Sequence, residues 1–268
     1  MAPGLFSQAV KIDRRDFLLA CAAASIAGCA RPVRGWPHGY VSLTYDDGLS
    51  SQLDVAVPQL EREGLRGTFF LTWNNMKDRA REWAAIARRG HELGNHTVSH
   101  PCDLRPETAE SFKSSEIDPM ERWLSQVEGA KRSRDFAYPC DVTDLGPGTA
   151  NRQADTYANI LRSAGILRAR TSEGPPNSLR WTEDAPYRLQ ALALGYDAAT
   201  LRDVRNYISQ AISDGRWAIL VLHDIGPGKP GDGSVSAAAH EQLLRMIRQM
   251  RVPCGTLESA IRYARIGR

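Results

Sequence analysis

Two short strings hold residue types able to activate water. Thr44-Tyr45-Asp46-Asp47-Gly48 sets two carboxylates at the end of an apolar run, just ahead of a glycine. Further along, His96-Thr97-Val98-Ser99-His100 sets two imidazoles four residues apart. Adjacent residues leaving a strand point in different directions, so one aspartate can bind a cation while its neighbour faces a reacting group. Histidines at i and i+4 can share one face of a helical turn and reach one ion. Two imidazoles and a carboxylate with open positions suit zinc, with cobalt, nickel or iron allowed by ligand type. Asp-Asp-Gly alone is a common turn string. With the two histidines and an expected Gly94-Asn95 turn ahead of them, it reads as part of a site. His223 closes the apolar run Trp217–Leu222 and is a candidate acid or base. His38, His91 and His240 read as surface or hydrogen-bonded core residues.

The elements that must carry these groups alternate along the chain. Strands are expected at Tyr40–Tyr45, Gly67–Leu71, Phe136–Tyr138 and Trp217–Leu222. Helices are expected at Gln52–Glu63, Asp78–Arg89, 107–128 (broken at Asp118-Pro119), Arg152–Ala164, Leu201–Ser213, Ala237–Met250 and Leu257–Ala264. Alternation of this kind implies α/β architecture with parallel βαβ units. In a parallel barrel, functional groups collect at the carboxyl ends of the strands, where Asp46 and Asp47 fall. The stretch 171–200 is the least regular, with loops marked by Pro175-Pro176-Asn177 and Asp184-Ala185-Pro186.

The 268 residues carry a formal charge of +3 with both signs interspersed, and no basic block suggests nucleic acid. Arg14-Arg15-Asp16-Phe17-Leu18 precedes an apolar stretch ending at Gly28, which resembles a twin-arginine export signal. That stretch is too short to span a bilayer. Ile26-Ala27-Gly28-Cys29 resembles a lipobox, so Cys29 is read as a lipidated first residue, with cleavage at another small residue as the alternative. The expected division is a signal over 1–28, a linker over 29–38 and one domain over 39–268. It places the protein outside the cytoplasm, in the envelope or periplasm, with membrane contact only through the lipid. Cys102, Cys140 and Cys254 would then sit in an oxidising compartment. A Cys102–Cys140 bridge is one reading, and three buried thiols is the preferred one.

The ordered strings, followed by Phe136-Ala137-Tyr138-Pro139 and Leu222-His223, resemble the polysaccharide deacetylases with a NodB homology domain. Gly90-His91-Glu92-Leu93-Gly94-Asn95-His96 adds to the resemblance. It extends over 40 to about 262, and Phe-Ala-Tyr-Pro is similar to the branch acting on poly-N-acetylglucosamine. The resemblance implies a distorted (β/α) barrel of about seven strands. It implies a divalent ion, zinc above all, on Asp47, His96 and His100. Asp46 would be the base and His223 the acid. The Cys140 N–H would hold an oxyanion, with Tyr138 and Pro139 beside the substrate. The implied reaction removes N-acetyl groups from an amino-sugar polysaccharide.

Two departures stand out. Family members often carry arginine where this chain has Ala137, and the usual Asp-Trp string is not identifiable. Losing both is coherent, because an unpaired buried aspartate is costly. Arg170 or Arg188 would have to supply any replacement cation, and each reads equally as a structural ion pair. Trp73, Trp181 and Tyr187 are candidates to stack on sugar rings, or else core residues. The alternatives are a catalytically silent carbohydrate-binding lipoprotein, or an O-acetyl esterase or amide hydrolase on the same barrel.

Overall fold

A computed structural model describes residues 36–127, 134–146, 150–195, 201–226 and 233–265. The export signal and Cys29 lie outside the described residues. Seven strands form one sheet in the order β5-β4-β3-β2-β1-β7-β6, and every pairing is parallel. They are β1 (Tyr40–Tyr45), β2 (Thr68–Leu71), β3 (Glu92–Asn95), β4 (Asp135–Ala137), β5 (Arg168–Arg170), β6 (Leu192–Ala193) and β7 (Trp217–Leu222). The sheet curls into an incomplete barrel. Its two edges are joined through the segment 189–193. Leu189 bridges to Arg170 on β5, and Leu192 and Ala193 pair with β7.

β7 is apolar throughout, and β1 is apolar but for the buried Ser42 and Thr44. Val41, Leu43 and Tyr45 of β1, with Ala218, Leu220 and Leu222 of β7, pack against the surrounding helices. Tyr40 of β1 and Trp217, Ile219 and Val221 of β7 fill the barrel interior. Both faces are covered, so the hydrophobic run is continuous. Trp217 stands opposite Tyr40, and its indole N–H donates to Ser42 Oγ, diagonally across the pair, at 3.0 Å. Trp36 closes this end of the barrel, 5.5 Å from the Trp217 ring.

The expected helices form, Ala237–Met250 with its expected ends and the others with shifted ones, and three strands were not anticipated. Gly94-Asn95 is not a turn but the end of β3. Glu92-Leu93-Gly94-Asn95 is short and mostly polar, yet buried throughout. Gly94 is what admits it, since a Cβ there would fall 2.5 Å from the Phe70 ring on β2. β5 reads Arg-Ala-Arg, and β6 has only two residues. In the irregular stretch 171–200, Leu179–Asp184 forms a helix capped by Ser178, whose Oγ accepts from Trp181 N–H. Two helices contain wide π-type turns, Gln52–Ala56 and Lys113–Ile117, each running on into regular α-helix, and the second also follows a first α-helical turn, Ala109–Phe112. Asp118-Pro119 therefore does not break its helix, because the proline falls where the wide turn gives way to the α-helix.

Candidate active site

Because all strands run the same way, their carboxyl ends share one rim. Asp46 and Asp47 leave β1, His96 leaves β3, Tyr138 leaves β4, Arg170 ends β5 and His223 leaves β7. His96 Nε2 and His100 Nε2 each lie 3.5 Å from the same oxygen, Asp47 Oδ1. Asp46 Oδ2 lies 3.9 Å from His96 Nε2 and 3.9 Å from His223 Nε2. Asp46, Asp47, His96, His100 and His223 are thus brought together as expected.

The two histidines do not sit on a helical turn. The 96–100 segment is a bent loop in which Thr97 (φ 70°) and His100 (φ 58°) take left-handed backbone. Asp47 does so too (φ 75°), followed by Gly48 (φ 69°), so the carboxylate pair sits on a tight turn that reverses the chain. Non-glycine residues pay a conformational cost there, and such positions cluster at functional sites.

Side chains from both nearby and distant positions hold these loops. Gln52, fully buried in the first wide turn, donates to the carbonyls of both Asp46 and His223, tying the ends of β1 and β7 together. Glu116, in the second wide turn, accepts from the Val98 and Ser99 N–H groups and from Ser99 Oγ. Asn95 Oδ1 accepts from Thr97 N–H at 2.8 Å, and Asn75 donates to the Asp47 carbonyl. Sequence reasoning missed all four, since nothing marks a common Gln, Glu or Asn as a clamp before the fold assembles it. Gln52 and Glu116 lie on wide turns, and such turns are not legible in sequence.

His96 is buried, and its Nδ1 lies 2.8 Å from the Ala137 carbonyl. That contact places the proton on Nδ1 and leaves Nε2 as a lone-pair donor, the arrangement second-layer partners give to metal-ligating histidines. Burial alone would raise the Asp47 pKa, but the His96 hydrogen bond and the nearby His96, His223 and His100 hold it below the usual carboxylate range. Burial would lower His96, but Asp46 and Asp47 raise it above an ordinary histidine. His100 is lowered by burial and by His96. His223 is lowered by burial, against the pull of Asp46 and Asp47.

The donor set fits a divalent ion. Ligand atoms of Asp47, His96 and His100 lie within 4.8 Å of one another. Ligands about 2.1 Å from a tetrahedral ion stand about 3.4 Å apart, close to the two 3.5 Å separations here. A second group of similar span, His100, Cys102 and Cys140, is not a ligand set, because the two sulfurs are bonded to each other. That disulfide corrects the preferred expectation of three thiols. Only Cys254 is a free cysteine among the described residues.

The third string divides. Cys140 adjoins His100 in a left-handed turn (φ 52°). The Tyr138 ring turns away into a cluster with Phe136 and Tyr157, and its hydroxyl donates to the Tyr187 carbonyl. Pro139 is buried in the turn between them. Of the two candidate arginines, Arg188 is exposed and Arg170 is buried against Asp46. The cation is therefore not lost, as the missing arginine had suggested. Trp181 and Tyr187 are tied to backbone carbonyls of Arg188 and Ile166, whereas Trp73 abuts the 96–100 loop through its backbone N–H, which donates to the Thr97 carbonyl.

A parallel barrel rim with this carboxylate and histidine set defines a class. The polysaccharide deacetylase family model matches residues 35–185, and the chain belongs to that family. It is 26% identical over 209 residues to a gellan lyase of Bacillus sp, covering 73% of this chain and 8% of that protein. It is 30% identical over 90 residues to the peptidoglycan-N-acetylmuramic acid deacetylase PdaA of Bacillus subtilis, covering 33% of this chain and 34% of that one. The chain thus spans about a third or less of these curated relatives. Among solved structures, a family 4 carbohydrate esterase from Bacillus anthracis superposes with TM-score 0.54 at 18% identity, covering 86% of each chain. A peptidoglycan N-acetylglucosamine deacetylase superposes with TM-score 0.51 at 20% identity, covering 85% of this chain and 91% of that one. At these identities the structures share the fold.

Proposed function

We propose that the protein is a metal-dependent hydrolase that removes N-acetyl groups from an amino-sugar polysaccharide of the envelope or an exopolysaccharide. The observation that carries this reading is the shared Asp47 Oδ1 facing two imidazole nitrogens, with a second carboxylate, Asp46, beside them. Family membership and relatives named as peptidoglycan deacetylases support the substrate class.

Asp47, His96 and His100 would hold the ion, zinc by preference, with cobalt or nickel as substitutes. Bound there, it supplies a Lewis acid and a water of lowered pKa. The chain does the rest. Asp46 Oδ2 accepts a proton from the attacking water. His223 Nε2, facing Asp46 from the neighbouring strand β7, gives a proton to the departing amine nitrogen. The Cys140 N–H, on its left-handed turn, would donate to the developing oxyanion, with Pro139 in the same turn. Tyr138 supports the turn from behind. Acetate and a free amino sugar leave.

The test is acetate release from chitin oligomers, poly-N-acetylglucosamine, peptidoglycan and acetylated xylan, with zinc and after chelation. Release from the amino-sugar chains, lost on chelation and restored by metal, is expected. A folded protein releasing no acetate, or releasing it equally after chelation, overturns the reading. Release from xylan alone favours the O-acetyl esterase. Asp46→Asn should lower turnover by about 10²–10⁴-fold while the protein keeps its metal.

We also propose export through the twin-arginine signal and lipidation at Cys29. Arg14→Lys with Arg15→Lys should block export, and Cys29→Ala should abolish lipid labelling.

A further inference from the structure

Asp46 is buried and uses its two carboxylate oxygens differently. Oδ2 faces the histidines, whereas Oδ1 is paired with the Arg170 guanidinium from β5, 124 residues away in sequence. Arg170 is itself only 1% exposed, so the pair sits where charge is weakly screened. Its guanidinium carbon lies 4.8 Å from the centroid of the Phe70 ring, which the absent Cβ of Gly94 admits. Arg170 is the register partner of Ala137 on β4. Register partners in a parallel pair project to the same face, and a methyl group leaves the longer side chain room to extend across the interior.

Resting on the hydrolytic reading above, we propose that Arg170 is the positioning residue for Asp46: the cation expected on β4 has moved one strand over, to β5, and Ala137 is its complementary gap. Holding Oδ1 fixes the carboxylate so that Oδ2 faces the reacting water. An Arg170 fork, a ring beneath it and a small residue beside it form one unit. Substituting any one alone should disturb Asp46 before it disturbs the metal ligands.

The metal-loaded enzyme tests this with Arg170→Ala, Arg170→Lys and the double variant Arg170→Ala/Ala137→Arg. Arg170→Ala is expected to lower kcat by about 100-fold with KM and metal content close to the parent's. Added guanidinium ion should recover at least part of that loss and leave the parent unaffected. The double variant, which returns the cation to β4, should exceed Arg170→Ala by about tenfold or more. A merely structural pair would lower thermal stability but show no rescue by guanidinium. Unchanged kcat in folded Arg170→Ala overturns the proposal. A crystal structure of Arg170→Ala gives a readout without any glycan. Asp46 rotated away from His96 and His223 supports the proposal, and Asp46 unmoved overturns it. Should the parent release acetate from no polymer, the hydrolytic reading fails, and the crystallographic arm still decides the positioning. If Arg170→Ala does not fold, Arg170→Lys and the double variant carry the same comparison.

Discussion

The β1–β7 pair and the β4–β5 pair are both parallel, both central to the site, and built on opposite principles. β1 and β7 run six residues each, pair along their whole length and are buried on both faces by apolar side chains. β4 and β5 have three residues each. Asp135 opens the one, and Arg168 and Arg170 flank the other. Their buried charges answer one another: Arg168 Nε lies 2.8 Å from Asp135 Oδ1, and Arg170 reaches across to Asp46. One half of the rim is held by hydrophobic burial and a long ladder, the other by desolvated ion pairs. The first is tolerant of shape-conserving change, and the second is sensitive to the loss of either partner.

The largest expected effect tests the seam between the halves. His96→Ala or His100→Ala should abolish metal uptake, measured by titration of the apoprotein, a greater loss than the about 10–100-fold that second-layer partners contribute. Loss at His100 but not at His96 would shift the site off β3. Next, Arg168→Met should destabilise by about 3–5 kcal/mol in denaturant melts, because Asp135 stays buried without this cation. The double variant Arg168→Met/Asp135→Leu should recover most of that loss. On the other half, Leu220→Met should cost less than about 1.5 kcal/mol. If Leu220→Met costs as much as Arg168→Met, the contrast drawn between the halves is wrong. Cys102→Ser/Cys140→Ser, which opens a bridge across 38 residues, should cost about 2–4 kcal/mol in the same melts.

The effect that is smallest near neutral pH, and that grows with acid, falls on the β1 side. His240 is buried between Tyr45 OH and Gln59 Oε1, and burial lowers its pKa to about 4. An unfolded histidine titrates near 6.5, so the unfolded chain binds the proton first and stability falls as pH drops. The loss should be about 1 kcal/mol at pH 5.5 and about 3 kcal/mol by pH 4, with none above neutrality. His240→Gln should make that slope shallower by this share in melts repeated across pH. An unchanged slope would assign the sensitivity elsewhere, for instance to His91, which burial also lowers to about 4.

This contrast also explains what was legible in sequence. β1, β2 and β7 announce themselves as apolar runs, because burial on both faces selects for them. β3 and β5 do not, since Glu-Leu-Gly-Asn and Arg-Ala-Arg are stable only where the fold brings Phe70, Asp135 and Asp46 to them. The candidate ligand residues were legible because Asp-Asp-Gly and paired histidines are chemically distinctive. The geometry between them was not: the expected helical turn at 96–100 is a loop kept in left-handed backbone by Glu116 and Asn95. Arg170 was one of two guesses, because a partner 124 residues distant leaves no spacing to read.

The Cys102–Cys140 link joins the loop behind His100 to the turn that carries the Cys140 amide. Both sulfurs lie at exposed residues, open to thiol reagents. A preparation made in a reducing cytosol, or stored with dithiothreitol, would therefore hold an intact barrel with its rim unstapled. Such material would pass a folding check, yet it would present two extra thiolates to any added zinc beside His100. Activity comparisons between batches should be matched for sulfhydryl titre before a weak result is blamed on the glycan.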